Sequence, residues 1–207
     1  MLNRLLRATM TRLLHPIAAG LLRLGVSPDV VTVVGTVGVC VGALAFFPRG
    51  QLWVGVLVIT AFVFSDTVDG IMARSSGRSN KWGAYLDSTL DRVGDAAIFG
   101  GLVLYYAGRG DNRLMAALAL ACLILGSVVS YAKARAEGLG FTADVGIAER
   151  ADRLVAVLVT AFFADLLGST LLLGVVLALL AVASLVTVLQ RMLTVRRQAL
   201  AAGEVTR

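Results

Sequence analysis

Apolar residues dominate the chain, but its first segment has a pattern of its own. Leucines recur at roughly helical spacing through residues 2–24, and four arginines are interleaved among them: Arg4, Arg7, Arg12 and Arg23. Such an amphipathic, basic pattern is typical of a helix that lies in the membrane interface and does not cross it. We therefore predict an interfacial helix within residues 1–26.

Six apolar runs follow, each close to the about 20 residues that a helix needs to cross the hydrocarbon of a bilayer. They predict membrane-spanning helices at residues 27–47, 51–73, 84–107, 114–136, 151–168 and 170–190. The first run opens with Ser27, Pro28 and Asp29, which suit an N-cap and the first turn of a helix. The predicted fold is an all-α integral membrane protein, with a six-helix domain at 27–194 and a basic cytoplasmic tail at 195–207.

Composition and charge agree with this prediction. The 207 residues are 58% hydrophobic and 15% charged, which is far from the composition of soluble globular proteins. Lysine and arginine concentrate before the first span, in the second-to-third and fourth-to-fifth connections, and in the tail. This distribution predicts that both termini are cytoplasmic. The net charge of +6 could suggest binding to nucleic acid, but this distribution favours interaction of the basic residues with a membrane surface.

Four aspartates occur where the second span ends and the third begins. Asp66 and Asp69 are spaced i, i+3, and Asp87 and Asp91 are spaced i, i+4, so each pair projects from one helical face. The connection at 74–83 is short, so we expect the two faces to converge. A carboxylate within a bilayer costs about 2.5–3.5 kcal/mol, and crowded oxygen ligands suit Mg²⁺ or Mn²⁺. The spacing therefore predicts a divalent metal site.

The carboxylates could also be accommodated without a metal ion. They could share protons, or they could pair with Arg74 and Arg92 at the interface. Asp95 continues the same helical row, where it either orients the metal ligands or makes a structural hydrogen bond. A cation transporter would also carry intramembrane aspartates, but such proteins usually show inverted repeats, and none is visible in the sequence.

Small residues and a cation accompany the aspartates. Gly70 and Gly83 lack side chains, so a bulky ligand can approach the carboxylates closely. Ala73 is similarly small, and Arg74 offers a planar cation for a phosphate. This combination predicts a pyrophosphate site at the membrane surface.

The arrangement of these residues resembles the signature of the CDP-alcohol phosphotransferases at every fixed position. The matching residues are Asp66, Asp69, Gly70, Ala73, Arg74, Gly83, Asp87 and Asp91. The resemblance implies a metal-dependent transfer from a CDP-linked lipid to an alcohol, with release of CMP. It also implies that the four aspartates hold two metal ions, with Asp91 as a ligand of the second ion or chiefly as the catalytic base.

The resemblance also implies a binding site for the donor substrate. Gly70, Ala73, Arg74 and Gly83 would receive the nucleotide and the pyrophosphate. From the first span, Asp29 and Thr32 would border the same pocket.

A second polar cluster lies around the connection between the fourth and fifth spans. Its members are Ser130, Lys133, Arg135, Arg150 and Arg153. Turned toward one pocket, these side chains would clamp the phosphate of an acceptor substrate. The alternative is that the basic residues only anchor the cytoplasmic ends of the helices.

The whole chain, from SPDVVTVVGT through SYAKARAE to ERADR, most resembles the actinobacterial phosphatidylinositol phosphate synthases. This resemblance implies CDP-diacylglycerol as the donor, inositol phosphate as the acceptor and a homodimer in the cell membrane. Glycerol 3-phosphate also carries a phosphate, so a phosphatidylglycerophosphate synthase is the alternative.

Overall fold

The computed structural model describes residues 15–63, 65–75, 81–147 and 149–203, apart from the side chains of Asp66, Thr67 and Ser75. Residues 15–23 form a helix, α1, whereas residues 1–14 of the predicted interfacial helix lie outside the described residues. The further α-helices are α2 (Pro28–Val41), α3 (Leu52–Val63), α4 (Ser65–Ser75), α5 (Lys81–Ala107), α6 (Arg113–Gly138), α7 (Arg150–Leu167) and α8 (Leu171–Ala201). The described part of the chain contains no strand, so the predicted all-α class is confirmed.

The start of α2 follows the local sequence closely. The hydroxyl of Ser27 accepts a hydrogen bond from the backbone N–H of Val30 at 3.3 Å, and Pro28 occupies the first turn. Beyond α2, the helical path continues as a π-helix at Gly42–Phe46 and a 3-10 helix at Phe47–Arg49. The first predicted span is therefore helical throughout, but its second half is not a regular α-helix.

Four helical stretches are long and apolar enough to cross a membrane: Pro28–Arg49, Leu52–Arg74, Arg113–Gly138 and Leu171–Ala201. The protein is therefore an integral membrane protein. At the other two predicted positions, α5 has 27 residues and α7 has 18 residues, and both carry several charged side chains. A total of six spans stays a prediction. The last helix, α8, continues past residue 194 to Ala201.

The described residues fall into two compact units, and the first takes in residues up to Phe46 together with Val54–Ile98. Here α1 packs on α4 through a small core formed by Ala18, Val68, Ile71 and Met72. A Cβ atom at Gly38 would overlap the ring of Phe62, so α2 and α3 approach closely there. Packing within the chain thus accounts for a small residue at Gly38.

The second unit comprises Phe47–Trp53 and residues from Phe99 onward. Its helix α8 packs against both α6 and α7. The carboxylate of Asp165, near the end of α7, accepts a hydrogen bond from the backbone N–H of Trp53 at 2.9 Å. Asp165 therefore caps the start of α3, because the N–H groups of a first helical turn have no partner within the helix.

Candidate functional site

In the first unit, α2 and α4 meet at a buried hydrogen bond. The hydroxyl of Thr32 lies 2.5 Å from Oδ2 of Asp69, and both residues are buried. The same hydroxyl lies 3.1 Å from the carbonyl oxygen of Pro28, one helical turn earlier. The contact fixes the orientation of Asp69, since a carboxylate that accepts a short hydrogen bond has fewer accessible rotamers.

The start of α5 is tied to the start of α2. The indole N–H of Trp82 donates to Oδ2 of Asp29 at 3.0 Å, and the rings of Trp82 and Tyr85 lie 5.9 Å apart. Both aromatic side chains are exposed, as expected for residues at a membrane interface. Asp29 therefore has a protein partner in this structure, at the start of α5, the helix that carries Asp87 and Asp91.

The structure places the side chain of Arg74 beside Gly70, within the predicted pyrophosphate site. A Cβ atom at Gly70 would lie 3.4 Å from Nη1 of Arg74, so the guanidinium lies over this glycine. Arg74 itself is exposed, and Ala73 and Gly83 are partly buried. A planar cation beside a residue without a side chain can receive the oxygens of a phosphate.

Farther along α5, a single arginine contacts two carboxylates. Nη2 of Arg92 lies 3.7 Å from Oδ2 of Asp91 and 3.5 Å from Oδ2 of Asp95. Pairing with Arg92, one of the arrangements that needs no metal ion, is therefore present for Asp91 and Asp95. Asp95 is buried, and its ion pair with Arg92 is formed within the same helix.

The full set of four aspartates cannot be assembled from described side chains. Asp66 lies on α4, but its side chain is outside the described residues, and the side chain of Asp87 is exposed. Among the side chains that are described, no three carboxylate, histidine or cysteine groups lie close enough to hold one metal ion. The convergence of Asp66 and Asp69 with Asp87 and Asp91 therefore stays a prediction.

In the second unit, two members of the predicted acceptor cluster meet at one turn of α6. The guanidinium of Arg153 lies 3.6 Å from the position that a Cβ atom at Gly126 would occupy. The hydroxyl of Ser130 donates to the carbonyl oxygen of Gly126 at 3.2 Å. Arg153 is only 3% exposed. Such burial favours the pocket over anchoring of a helix end, because an anchoring arginine extends to the membrane surface.

Lys133 is held by acidic partners. Its ammonium lies 2.5 Å from Oδ1 of Asp144, in the connection between α6 and α7, and 3.8 Å from Oε1 of Glu137. The hydrogen bond from Lys133, with its positive charge, holds the pKa of Asp144 below the usual value of an aspartate. Asp144 was not among the residues predicted from the sequence, and its local sequence gives no sign of this contact.

Arg191 on α8 is a further basic residue that the sequence did not place in the cluster. Its guanidinium donates to the carbonyl oxygens of Val129 at 2.5 Å and of Val145 at 3.0 Å. Val129 directly precedes Ser130, so Arg191 reaches the same part of α6 as Arg153. The sequence contained one usable signal, an arginine that follows a long apolar run, but topology alone could explain that.

The two remaining members of the cluster differ in their surroundings. Arg150 is partly buried at the start of α7. Arg135 is exposed and lines a groove of about 520 Å³ between α6 and α8, together with Arg191 and Arg196. Arg135 follows Lys133 by two residues, so the two side chains project from different faces of α6.

Comparison with known proteins identifies the family to which this chain is similar. The family model described as CDP-alcohol phosphatidyltransferase matches residues 25–144. A phosphatidylinositol phosphate synthase of Streptomyces avermitilis is 55% identical and covers 100% of this chain and 87% of its own. The solved phosphatidylinositol phosphate synthase of Mycobacterium tuberculosis with CDP-DAG bound is 45% identical, with a TM-score of 0.85, over 89% of this chain and 94% of that one.

A second structure of the M. tuberculosis enzyme, in complex with manganese and citrate, is also 45% identical and has a TM-score of 0.82. It covers 87% of this chain and 87% of that one. The family model matches more than half of the sequence and includes all four aspartates. The chain therefore belongs to the CDP-alcohol phosphatidyltransferase family.

Proposed function

We propose that this protein transfers the phosphatidyl group of CDP-diacylglycerol to inositol phosphate, giving phosphatidylinositol phosphate and CMP. Membership of the family makes the chain a CDP-alcohol phosphotransferase, and the similar proteins of S. avermitilis and M. tuberculosis are phosphatidylinositol phosphate synthases. The observation that carries the choice of acceptor is the buried Arg153 beside Gly126, whose carbonyl oxygen accepts from Ser130. A guanidinium removed from water next to a hydroxyl suits a phosphate monoester better than an uncharged alcohol.

The donor substrate binds the first unit. The nucleotide and pyrophosphate lie on a surface formed by residues of α2, α4 and α5: Asp29, Thr32, Gly70, Ala73, Arg74 and Gly83. The guanidinium of Arg74 over Gly70 supports this assignment, because it offers two parallel donors beside a residue that has no side chain. The M. tuberculosis structure with CDP-DAG bound also supports a CDP-linked lipid as the donor.

Divalent cations, Mg²⁺ or Mn²⁺, accompany the donor. Asp66, Asp69, Asp87 and Asp91 hold two such ions, and the short hydrogen bond from Thr32 orients Asp69 for this purpose. Hard oxygen donors of this kind fit both cations, and the related M. tuberculosis enzyme has been solved with manganese. When bound, the ions neutralise the pyrophosphate and stabilise the charge that develops on the departing CMP.

Asp91 acts as the general base of the transfer. Its carboxylate takes the proton of the acceptor hydroxyl, and Arg92 at 3.7 Å restrains its orientation. The hydroxyl oxygen forms a bond to the phosphorus that carries diacylglycerol. The bridging oxygen–phosphorus bond of the pyrophosphate breaks, and CMP leaves with the electron pair of that bond.

The acceptor phosphate binds in the second unit. Arg153 and Ser130 contact it from α7 and α6, and Lys133, Arg150 and Arg191 add positive charge. Arg135 is the outer member of the cluster, since it is exposed. The contacts of Arg153 and Arg191 with one stretch of α6 support a shared pocket.

The active site faces the cytoplasm, and the enzyme works as a homodimer in the cell membrane. The excess of lysine and arginine on one side of the predicted spans supports the orientation. The resemblance to the actinobacterial synthases implies the homodimer. Light scattering in detergent tests the oligomeric state, and a mass of one chain would reject it.

CMP release from CDP-diacylglycerol tests the reaction. Purified protein with Mg²⁺ is supplied with inositol phosphate, glycerol 3-phosphate, free inositol or no acceptor. We expect CMP release with inositol phosphate and little with free inositol, which lacks the phosphate that Arg153 binds. If CMP is released only with glycerol 3-phosphate, glycerol 3-phosphate is the acceptor in place of inositol phosphate. If no CMP is released with any of these compounds, the transfer reaction is rejected.

A further inference from the structure

Gln198, near the end of α8, is fastened to the connection between α6 and α7. Its Oε1 accepts from the backbone N–H of Thr142 at 3.0 Å and from the hydroxyl of Thr142 at 3.3 Å. Its Nε2 donates to the carbonyl oxygen of Thr142 at 2.7 Å. One side-chain amide thus satisfies both backbone groups of a single residue. The carboxamide supplies both a donor and an acceptor for this, whereas an ionised glutamate has no donor and an alanine has neither group.

Two further residues of α8 hold the same connection. The hydroxyl of Thr187 accepts from the backbone N–H of Ile147 at 3.1 Å. Nε of Arg191 donates to the carbonyl oxygen of Val145 at 3.0 Å. Thr187, Arg191 and Gln198 are spaced by four and seven residues, so they share one face of α8. The connection is therefore fastened to α8 at three points from residue 142 to residue 147.

The charged residue within this fastened segment is Asp144, the partner of Lys133. Its side chain is 70% exposed, so the ion pair contributes little to folding stability. Its effect is geometric. The lysine side chain is a flexible stem with a point charge, and a carboxylate fixed at 2.5 Å determines where that charge lies.

We propose that Gln198 is a positioning residue of the acceptor pocket. By fastening Thr142 it keeps Asp144 against Lys133, and Lys133 is thereby directed toward the acceptor phosphate. The inference rests on the proposed function, in which Lys133 binds that phosphate. Gln198 itself does not contact the substrate.

The kinetic test compares the two substrates. Gln198→Ala should raise the KM for inositol phosphate about 3- to 10-fold, the change expected from one lost hydrogen-bonded contact. The KM for CDP-diacylglycerol should stay unchanged. Asp144→Asn should raise the acceptor KM to a similar extent. The double variant should add little, because both changes act through the same contact.

Gln190→Ala is the matched control. Gln190 is a glutamine on the same helix and is exposed, so its removal should leave both KM values unchanged. Gln198→Glu is a second variant, which keeps the size of the side chain but loses the donor to Thr142. Gln198→Glu should also raise the acceptor KM, so it provides the test if the alanine variant folds poorly.

Hydrogen–deuterium exchange over residues 141–147 separates the possible failures. Exchange should be faster in Gln198→Ala than in Gln190→Ala. Equal exchange in the two variants would contradict the claim that Gln198 holds the connection between α6 and α7. Faster exchange with an unchanged or lower acceptor KM, or with a rise in both KM values, would overturn the positioning role. If the wild type releases no CMP with any of the acceptors, the proposed function fails, while the exchange result still decides whether Gln198 fastens the connection.

Discussion

The carboxylate region of the first unit and the basic region of the second unit are assembled in different ways. The four aspartates lie within 26 residues of sequence, and helical periodicity alone pairs Asp66 with Asp69 and Asp87 with Asp91. The basic region combines residues of α6, α7 and α8 through contacts between different helices, such as that between Arg191 and Val129. A local pattern therefore predicts candidate ligands, whereas only tertiary contacts show which residues pack around a candidate site.

The two regions also differ in how their key contacts are exposed to water. The contact between Thr32 and Asp69 is buried, where a hydrogen bond to a charged group contributes about 1.5–3 kcal/mol. The contact between Lys133 and Asp144 is exposed and is weakened by solvent. We expect substitutions in the carboxylate region to affect turnover or metal affinity, and substitutions in the basic region to affect the affinity for the acceptor.

The largest effect is expected for Asp91→Asn. The variant should lose about 100-fold or more in kcat, because general-base catalysis of this kind contributes at least that factor. Binding of CDP-diacylglycerol and the thermal unfolding temperature should change little. The control is Asp111→Asn, the same substitution in a connection outside both regions. Turnover of Asp91→Asn near that of the wild type would remove Asp91 from the role of base.

Arg153→Ala should have the next largest effect, and this effect should be on the acceptor, inositol phosphate. The KM for inositol phosphate should rise about 10- to 100-fold, because a hydrogen-bonded charge pair with the phosphate is lost. The KM for CDP-diacylglycerol should stay close to that of the wild type. Arg197→Ala, which removes an exposed arginine of α8, is the control. If Arg153→Ala lowers only the yield of protein, the basic residues serve topology and the contrast between the two regions disappears.

Thr32→Val tests the support of Asp69 with a side chain of the same shape. Loss of the hydroxyl should weaken the apparent affinity for Mg²⁺ in the assay by about 10-fold, the usual scale for residues that orient metal ligands. Thr36→Val is the matched control, because the hydroxyl of Thr36 donates only within α2, to the carbonyl oxygen of Thr32 at 3.0 Å. Equal Mg²⁺ dependence in both variants would show that Thr32 does not act on the metal site.

Sequence reasoning was most successful where the information is local. The all-α membrane class, the cap at Ser27 and helices at all six predicted positions follow from periodicity and composition, and the structure contains them. The family could also be identified from eight residues between Asp66 and Asp91, and the comparisons confirm it. The total of six spans and the roles of the site residues stay predictions.

Long-range contacts account for what the sequence could not provide. Asp165 interrupts an apolar run, and nothing near it indicates that it caps α3 at Trp53, 112 residues away. In the same way, Asp144 and Gln198 look like ordinary polar residues of a connection and a helix end. Their partners, Lys133 and Thr142, become apparent only when α6 and α8 are packed together.

The smallest expected effect concerns the pH dependence of the pair between Lys133 and Asp144. Because Lys133 lowers the pKa of Asp144 in the folded protein, the pair stabilises the fold above the unfolded pKa of an aspartate, about 4. That contribution is lost as the pH falls through the lower folded pKa. Asp144→Asn should therefore unfold at a slightly lower temperature than the wild type at pH 7, and the difference should vanish in strong acid.

Glu137→Gln is the control, because the carboxylate of Glu137 lies farther from Lys133, at 3.8 Å. This variant should show a smaller difference at pH 7. A difference for Asp144→Asn that grows as the pH falls would contradict the direction of the pKa shift, and with it the view that Asp144 is held as a charged partner of Lys133.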